Sequence, residues 1–417
     1  MSRVVFFGID LHGHVNPTLG LVRALVERGE EVVYYSGEAF RERIEAAGAV
    51  FVPYEEPLGF GTHDGGGIET FLITADFILR RSRAIVEAVE EELRRLRPGY
   101  IIHDAFCHWG KELARRLGIP GVSLFANFAF IDEMADLDPD FFMENVLRAG
   151  NDPLYVKNKG QADVYRKLAA KLSKVVSLKY GVQTDSVIND IFCSKEKLNL
   201  VPTSREFQIY EQAFDDSYRF IGYAVEPRAD GADFPFERLD ERPLVYIALG
   251  TIFNDAAEFY SKCLKAFEDG GVQVAMSVGE SVRPESLGQI PDHFIVRPYV
   301  PQLELLKRSS AFVTHGGSNS IHESLCLEVP TVVVPQSFDQ FMGAIAVERA
   351  GTGIYLRDPG IRPEELASAV RAVRTVPDYR SACARIRRTL EAPGGPASAA
   401  DAVIAFAESE NREVHRL

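Results

Sequence analysis

The chain has 417 residues, enough for two domains of ordinary size. A composition of 46% hydrophobic and 25% charged residues is that of a soluble globular protein, and a formal net charge of −14 argues against nucleic acid or an anionic membrane surface as partner. A nucleotide held by such a chain is held by local dipoles and specific side chains, not by bulk charge.

The five cysteines, Cys107, Cys193, Cys263, Cys326 and Cys383, are far apart with no CxxC, and read as reduced, mostly buried thiols of a cytoplasmic protein. Residues 4–9 are too short an apolar run, and too weakly flanked by basic residues, for a signal peptide. No apolar run approaches the length of a membrane span.

The same residues 4–9, bounded by glycine, have the pattern of a buried strand. The loop after them carries His12-Gly13-His14. Asn16-Pro17 then start a helix, a cap followed by a first-turn proline, with Leu19, Val22 and Val26 at helical spacing. A strand at 31–35, a helix at 39–47 and a strand at 49–52 complete a βαβαβ opening, which implies a parallel sheet. No GxGxxG follows the first strand, which weakens a dinucleotide-binding reading. Ligands of open α/β sheets bind at the carboxyl ends of strands, so chemistry is expected at the first loop, although a loop histidine is often a plain surface residue.

The glycine-rich segment 58–67, which includes Phe60, reads either as an acceptor lid or as a connector. Residues 77–96 predict a long amphipathic helix ending before Pro98, and residues 100–103 a strand with Asp104 at its carboxyl end. A carboxylate there can sit across from the first loop, where a base histidine needs a partner to fix its tautomer and stabilise the imidazolium. The alternative is a structural aspartate. After a strand at 119–125, residues 126–195 are helical and irregular, with Phe128, Phe130, Met134, Phe141, Phe142 and Met143. Core packing accounts for such residues. Asp136-Leu137-Asp138 spells DxD, but in an acidic loop away from any glycine-rich turn; it reads as solvated surface, and no metal site is assigned. Strands at 198–202 and 219–222 close this half.

Residues 226–242, rich in proline, glycine and charge, read as a linker. A second α/β domain follows. Its strand at 244–249 ends in Gly250-Thr251, and a strand at 273–278 brings Ser277 and Gly279 to its end. A strand at 294–296 leads into the densest signal of the chain, residues 299–340. There a strand at 311–314 ends in His315-Gly316-Gly317 and turns into a helix near Ser318-Asn319-Ser320. The glycines permit φ > 0 and close approach of backbone to a ligand. Ser318, Asn319 and Ser320 are residue types that cap helices. A helix N-terminus offers unpaired N–H groups and partial positive charge, a natural diphosphate seat. Glu323, one turn on and on the face of Asn319, is placed to accept hydrogen bonds from two adjacent hydroxyls such as those of a ribose. Taken alone, HGGSNS is equally well a plain glycine-rich turn. A PGGP at 393–396 breaks the chain, and residues 399–408 predict a last helix.

The residues around that turn add to it. Tyr299 and Pro301-Gln302 precede it, and Pro330, Pro335 and Asp339-Gln340 follow it. The whole stretch resembles the donor-binding signature of family 1 UDP-dependent glycosyltransferases, the family that includes bacterial macrolide and natural-product enzymes. Residues 13–17, GHVNP, are similar to the family's opening motif. The resemblance implies an α/β fold of two Rossmann-like domains facing across a cleft (GT-B type): an acceptor-binding domain at 1–225, a linker at 226–242, a nucleotide-sugar domain at 243–395, and a C-terminal helix at 396–417 that crosses back. It implies that Tyr299 stacks on the uracil, Val300 offers backbone groups to the base edge, and Gln302 lies near the ribose. His315, Asn319 and Ser320 would hold the diphosphate with the Gly317 backbone close by, Thr251 would approach the β-phosphate, and Ser277 would stand near the base. Glu323 would take the ribose hydroxyls, and Asp339 and Gln340 the sugar hydroxyls. His14 would be the general base, Asp104 its partner, and His12 merely positional. Phe60, Phe128, Phe130, Met134 and Phe142 would line an apolar acceptor pocket. Plant members carry Trp where this chain has Tyr299; a tyrosine still stacks, with less area.

The reaction so implied is a direct displacement, with inversion, at the anomeric carbon of a UDP-sugar. Gln340 points to glucose among relatives. The acceptor is a hydroxyl of a small hydrophobic natural product of macrolide, polyketide, flavonoid or terpenoid type. Fixed dipoles can stabilise the leaving UDP, so no metal and no other cofactor is expected. A monomer or weak homodimer is expected. The rivals are a TDP-deoxysugar-dependent transferase, a lipid-glycosylating one, a sugar-nucleotide epimerase of the same architecture, and a non-catalytic nucleotide-sugar binder. The paucity of basic residues argues against the lipid form, and His14, Asp104 and Glu323 argue against the binder.

Overall fold

The computed structural model describes residues 2–59, 67–126, 128–161, 163–225, 234–250, 256–336, 338–358 and 360–414. Phe60 with most of the glycine-rich segment, Thr251, and the first part of the expected linker lie outside the described residues. The chain divides into two compact units, Met1–Tyr223 together with Ala392–Leu417, and Ala224–Glu391.

The first unit holds a seven-stranded sheet in the order β3-β2-β1-β4-β5-β6-β7. Its strands are β1 (Arg3–Phe7), β2 (Glu31–Ser36), β3 (Val50–Pro53), β4 (Tyr100–Asp104), β5 (Gly121–Leu124), β6 (Leu198–Val201) and β7 (Tyr218–Phe220), all parallel. A parallel sheet is covered on both faces, so its strands read as unbroken apolar runs. β1 shows why. Val4 and Phe6 join Val32, Tyr34 and Ile102 in one core. Val5 and Phe7 join Val33, Tyr35 and Ile101 in another, on the opposite face.

The helix expected to begin at residue 77 begins at Ile68 and runs to Leu96. Phe71, Ala75, Ile78 and Leu79 make one buried stripe at helical spacing, which carries the helix upstream of the expected start. It ends where Arg97 turns left-handed at φ 52°, just before Pro98. The irregular region contains the helix Val164–Tyr180 and two π-helical turns, Phe142–Val146 and Ile188–Phe192. The DxD segment is structural rather than merely solvated: Asp138 accepts from Phe141 N–H at 2.8 Å and from the Tyr210 hydroxyl at 2.7 Å, while Asp136 pairs with Arg166.

The last helix, Gly395–Val414, is longer than expected because Pro396 sits in its first turn, where the missing N–H costs nothing. It packs on the helix Leu19–Glu27 of the same unit, with Ala399, Ala400, Val403 and Ala407 in the core that holds Val4 and Leu21. Arg28 secures it, with Nε donating to Asp401 at 2.6 Å and Nη2 to the Ala397 carbonyl at 2.9 Å.

The second unit holds a six-stranded parallel sheet in the order β10-β9-β8-β11-β12-β13. Its strands are β8 (Leu244–Ala248), β9 (Gln273–Ser277), β10 (Phe294–Arg297), β11 (Ser309–Thr314), β12 (Thr331–Val333) and β13 (Gly353–Tyr355). The described part of the expected linker is packed, not free: Phe234 is buried beside Tyr246 and Phe312, with Phe236 and Leu239 against the same core.

Candidate active site

In the first unit the strand order reverses at β1, which lies between β2 and β4. Open α/β sheets place ligands outside the carboxyl ends of the strands at such a point. The chain leaves β1 through Gly8, where a Cβ would come within 2.5 Å of the Tyr34 hydroxyl. It then enters the short helix His12–Val15. β4 ends at Asp104, next to it in the sheet. The two side chains meet, with His14 Nδ1 2.7 Å from Asp104 Oδ2. The carboxylate is 2% exposed and the imidazole 13%. Asp104 Oδ1 accepts the Phe106 backbone N–H at 2.9 Å, so both carboxylate oxygens are engaged. With Nδ1–H given to the carboxylate, the lone pair is on Nε2, the tautomer a base requires. The Phe106 ring stands edge-on to the imidazole at 5.9 Å. His12 is exposed and packs edge-on against Phe40, 4.9 Å away.

In the second unit the order reverses at β8, between β9 and β11. Beyond β11 the chain turns through Gly316 at φ 92°, where a Cβ would meet Val333 at 2.7 Å and the Gln340 carbonyl at 3.0 Å. The helix Ser318–Cys326 follows. Its N-cap is Gly317, not one of the three polar residues expected to cap it, and no side chain caps it. Ser318, Asn319 and Ser320 are instead its first three residues, at the positive end of the helix dipole.

His315 is gripped by backbone. A Cβ on Gly250 would lie 2.7 Å from its Nε2, and one on Gly317 2.5 Å. Burial pulls this imidazole down to about 4, against a hydrogen bond with the Ala248 backbone that acts the other way. It is therefore neutral at pH 7, a dipole and not a cation. His322, one turn inside the helix, is likewise pulled down to about 4 by burial, and its Nδ1 donates to the Ser318 carbonyl at 2.7 Å. It is a core histidine.

Glu323 is 2% exposed and accepts from Gln302 Nε2 at 2.7 Å. The Gln302 Oε1 accepts from the Tyr246 hydroxyl at 3.1 Å, and its Nε2 reaches Ser320 Oγ at 3.4 Å. Gln302, Ser320 and Glu323 thus form one connected group. Tyr299 is 46% exposed, an uncovered aromatic face, while the Val300 side chain is in the core. Ser277 gives its hydroxyl to the Pro298 carbonyl at 3.0 Å. Asp339 and Gln340 lie in the first turn of the helix Phe338–Ala350. Gln340 is almost buried, and its Oε1 accepts the Gln336 backbone N–H at 2.8 Å. Gly343 of the same helix packs on the turn, where a Cβ would come within 2.4 Å of the Gly316 carbonyl.

Phe128, Phe130, Met134 and Phe142, read as acceptor-lining, are interior residues. Phe128 packs on Phe207 and Phe142 on Tyr165. An apolar pocket does lie in this unit, but it is lined by Phe71, Leu147, Tyr165, Ala169, Leu172, Val187 and Ile188. These come from four separate stretches of chain, so their proximity had no linear signature beyond an apolar character. Among the described residues no group of three or more His, Cys, Asp or Glu side chains is arranged to hold a metal ion, and no helix is long and apolar enough to cross a membrane.

Residues 265–406 match the family described as "Erythromycin biosynthesis protein CIII-like, C-terminal domain". The chain is 34% identical over 409 residues to a Bacillus subtilis (strain 168) protein named "Uncharacterized UDP-glucosyltransferase YojK", with 97% of each chain covered. It is 28% identical over 416 residues to the oleandomycin glycosyltransferase of Streptomyces antibioticus, covering 96% of this chain and 90% of that one. Among solved structures, the calicheamicin glycosyltransferase CalG4 superposes with a TM-score of 0.76 at 28% identity, covering 98% and 99% of the two chains. Full-length similarity at this level, with a doubly wound sheet in each unit, shows that the chain belongs to the family 1 glycosyltransferases and has their GT-B fold.

Proposed function

We propose that the protein is an inverting, metal-independent, cytoplasmic glycosyltransferase that moves glucose from UDP-glucose to a hydroxyl of a small hydrophobic natural product. The observation that carries the reading is the His14–Asp104 pair, 2.7 Å apart at the switch point of the first unit with both carboxylate oxygens engaged. His14 Nε2 takes the acceptor O–H proton as the acceptor oxygen bonds to the anomeric carbon. The bond from that carbon to the β-phosphate oxygen breaks, and UDP departs with the electron pair. Asp104 holds the imidazolium so formed.

The charge growing on UDP falls to fixed dipoles: the uncapped N-terminus of the helix Ser318–Cys326 and the neutral His315. The exposed Tyr299 ring suits a base, and the group of Gln302, Ser320 and Glu323 suits ribose hydroxyls. UDP-glucose is favoured as donor by the name of the YojK relative; the "NDP-glycosyltransferase YjiC" of Bacillus subtilis, 32% identical over 407 residues, carries a broader one. The name of the oleandomycin relative favours a hydrophobic natural-product acceptor.

The test is incubation of the purified chain with UDP-glucose or a TDP-sugar and a panel of phenols, macrolides and terpenoids, read by mass spectrometry, with His14→Ala and a chelator as controls. A hexose-mass product with UDP-glucose, lost in His14→Ala and unchanged by chelator, is expected. Product from the TDP-sugar alone would overturn the donor assignment. Loss of product on chelation would overturn the metal-independent mechanism.

A further inference from the structure

Tyr246 stands behind the residues proposed for the ribose. It lies at the middle of β8, 2% exposed, directly opposite Phe312 of β11 in the sheet register. Their rings stack face to face, with centroids 4.7 Å apart and planes at 4°. The core around them also takes Val300, Leu305 and Leu306, on either side of Gln302, so the short helix Gln302–Leu306 is anchored on the same surface. Two strands therefore fix the Tyr246 ring, and with it the place to which its hydroxyl is delivered.

That hydroxyl meets the side chain of Gln302, whose Oε1 is 3.1 Å away. The other end of the amide, Nε2, is 2.7 Å from Glu323 Oε2 and 3.4 Å from Ser320 Oγ. An ionised carboxylate only accepts, so Nε2 must face Glu323, Oε1 must face Tyr246, and the phenol must donate. The sense of the whole relay is thus set from Tyr246 outward. A glutamine side chain is flexible, and an amide held at both ends keeps one of its many rotamers. The carboxylate of Glu323, 2% exposed, is held in turn.

We infer that Tyr246 is a positioning residue for the nucleotide: through Gln302 it fixes Glu323 in the orientation that tells a ribonucleotide from a 2′-deoxyribonucleotide. The inference rests on Glu323 taking the ribose hydroxyls. A site built to bond a hydroxyl rejects the analogue that lacks it, because buried polar groups are then left unpaired. That rejection needs a carboxylate that cannot swing to another partner. Uridine diphosphate carries the 2′-hydroxyl, and thymidine diphosphate in its usual deoxy form does not, so the same relay biases the donor toward UDP-sugars.

The experiment measures the affinities of UDP and 2′-deoxy-UDP by calorimetry in wild type, Tyr246→Phe, Gln302→Leu and the double variant, all as the full chain. The two ligands share base and diphosphate, so the ratio of their affinities isolates one hydroxyl. Tyr246→Phe keeps the stack on Phe312 and removes only the donor. Wild type should prefer UDP by about 10- to 10²-fold, the worth of a hydrogen bond to a charged group. Tyr246→Phe should weaken UDP by about 10-fold and 2′-deoxy-UDP far less, so the ratio falls. Gln302→Leu should lower the ratio as well, and adding Tyr246→Phe to it should lower it no further. A Tyr246→Phe chain with the wild-type ratio, whatever its absolute affinities, overturns the inference, and so do additive losses in the double variant. A wild type that binds both nucleotides equally strikes down the ribose reading of Glu323 itself, and the inference with it.

Discussion

Replacing Asp104 with asparagine isolates the charge of the pair from its shape. Asparagine keeps an oxygen for the Phe106 N–H, so the turn after β4 stays closed. Toward His14 it presents an amide N–H in place of the carboxylate oxygen 2.7 Å from Nδ1. Nδ1 must then accept, the proton moves to Nε2, and the ring is in the wrong tautomer to act as base. The imidazolium also loses its counter-charge. With charge centres about 4 Å apart and an effective dielectric of about 20, that attraction is roughly 4 kcal/mol. At 1.36 kcal/mol per factor of ten, the loss is about 10³-fold in rate.

The assay is initial rates with UDP-glucose and an acceptor bearing an aliphatic hydroxyl, beside UDP affinity by calorimetry. kcat should fall by about 10³-fold, and UDP should bind as before, because the seat proposed for it lies in the other unit. A strongly acidic phenol, ionised before it reacts, should lose far less. An Asp104→Asn chain that turns over the aliphatic acceptor at near the wild-type rate would refute the reasoning.

Three further outcomes are expected. His14→Ala should cost about 10²–10⁴ in kcat through loss of the base, and combining it with Asp104→Asn should add little, since the two act as one unit; rates of the double variant check this. Gly317→Ala puts a Cβ 2.5 Å from His315 Nε2 and pushes the imidazole aside, so both UDP affinity and kcat should fall, kcat by about 10²-fold for one lost leaving-group donor. The buried His108, His315 and His322 are each pulled down to about 4, from an ordinary value of about 6.5. As the pH falls, the unfolded chain takes up these protons first. The stability they confer is therefore complete above about pH 6.5 and is lost progressively toward pH 4. Tm should drop through that window, and His322→Gln should make the drop shallower.

The parts of the fold that were legible in the sequence are those governed by local pattern. The β1, β8 and β11 runs are apolar on both faces and bounded by glycine or proline, so the two parallel sheets follow. His14 and Asp104 could be paired in advance because both stand where adjacent parallel strands end. What was not legible depends on packing. The start of the helix Ile68–Leu96 is set by Phe71 and Ala75 finding a core. Phe234 looked like linker because charges and prolines surround it, yet it is buried against Tyr246. The cap of the helix Ser318–Cys326 fell to Gly317 although three better capping residues follow. The aromatic residues between 128 and 142 looked like a lining and turned out to be core. Phe106 was passed over because nothing in its spacing tells that its ring stands edge-on to His14.

The first unit is assembled from both ends of the polypeptide, with 392–417 returning to pack beside 19–27, while the second is one uninterrupted stretch, 224–391. Recombination between relatives is constrained accordingly. A single crossover near Tyr223 would pair one parent's amino-terminal half with another parent's tail, and the mismatch would fall on Leu21, Leu25, Ala400 and Val403 inside a core. Chimeras intended to exchange acceptor preference should therefore carry two junctions, so that the tail travels with the half it completes.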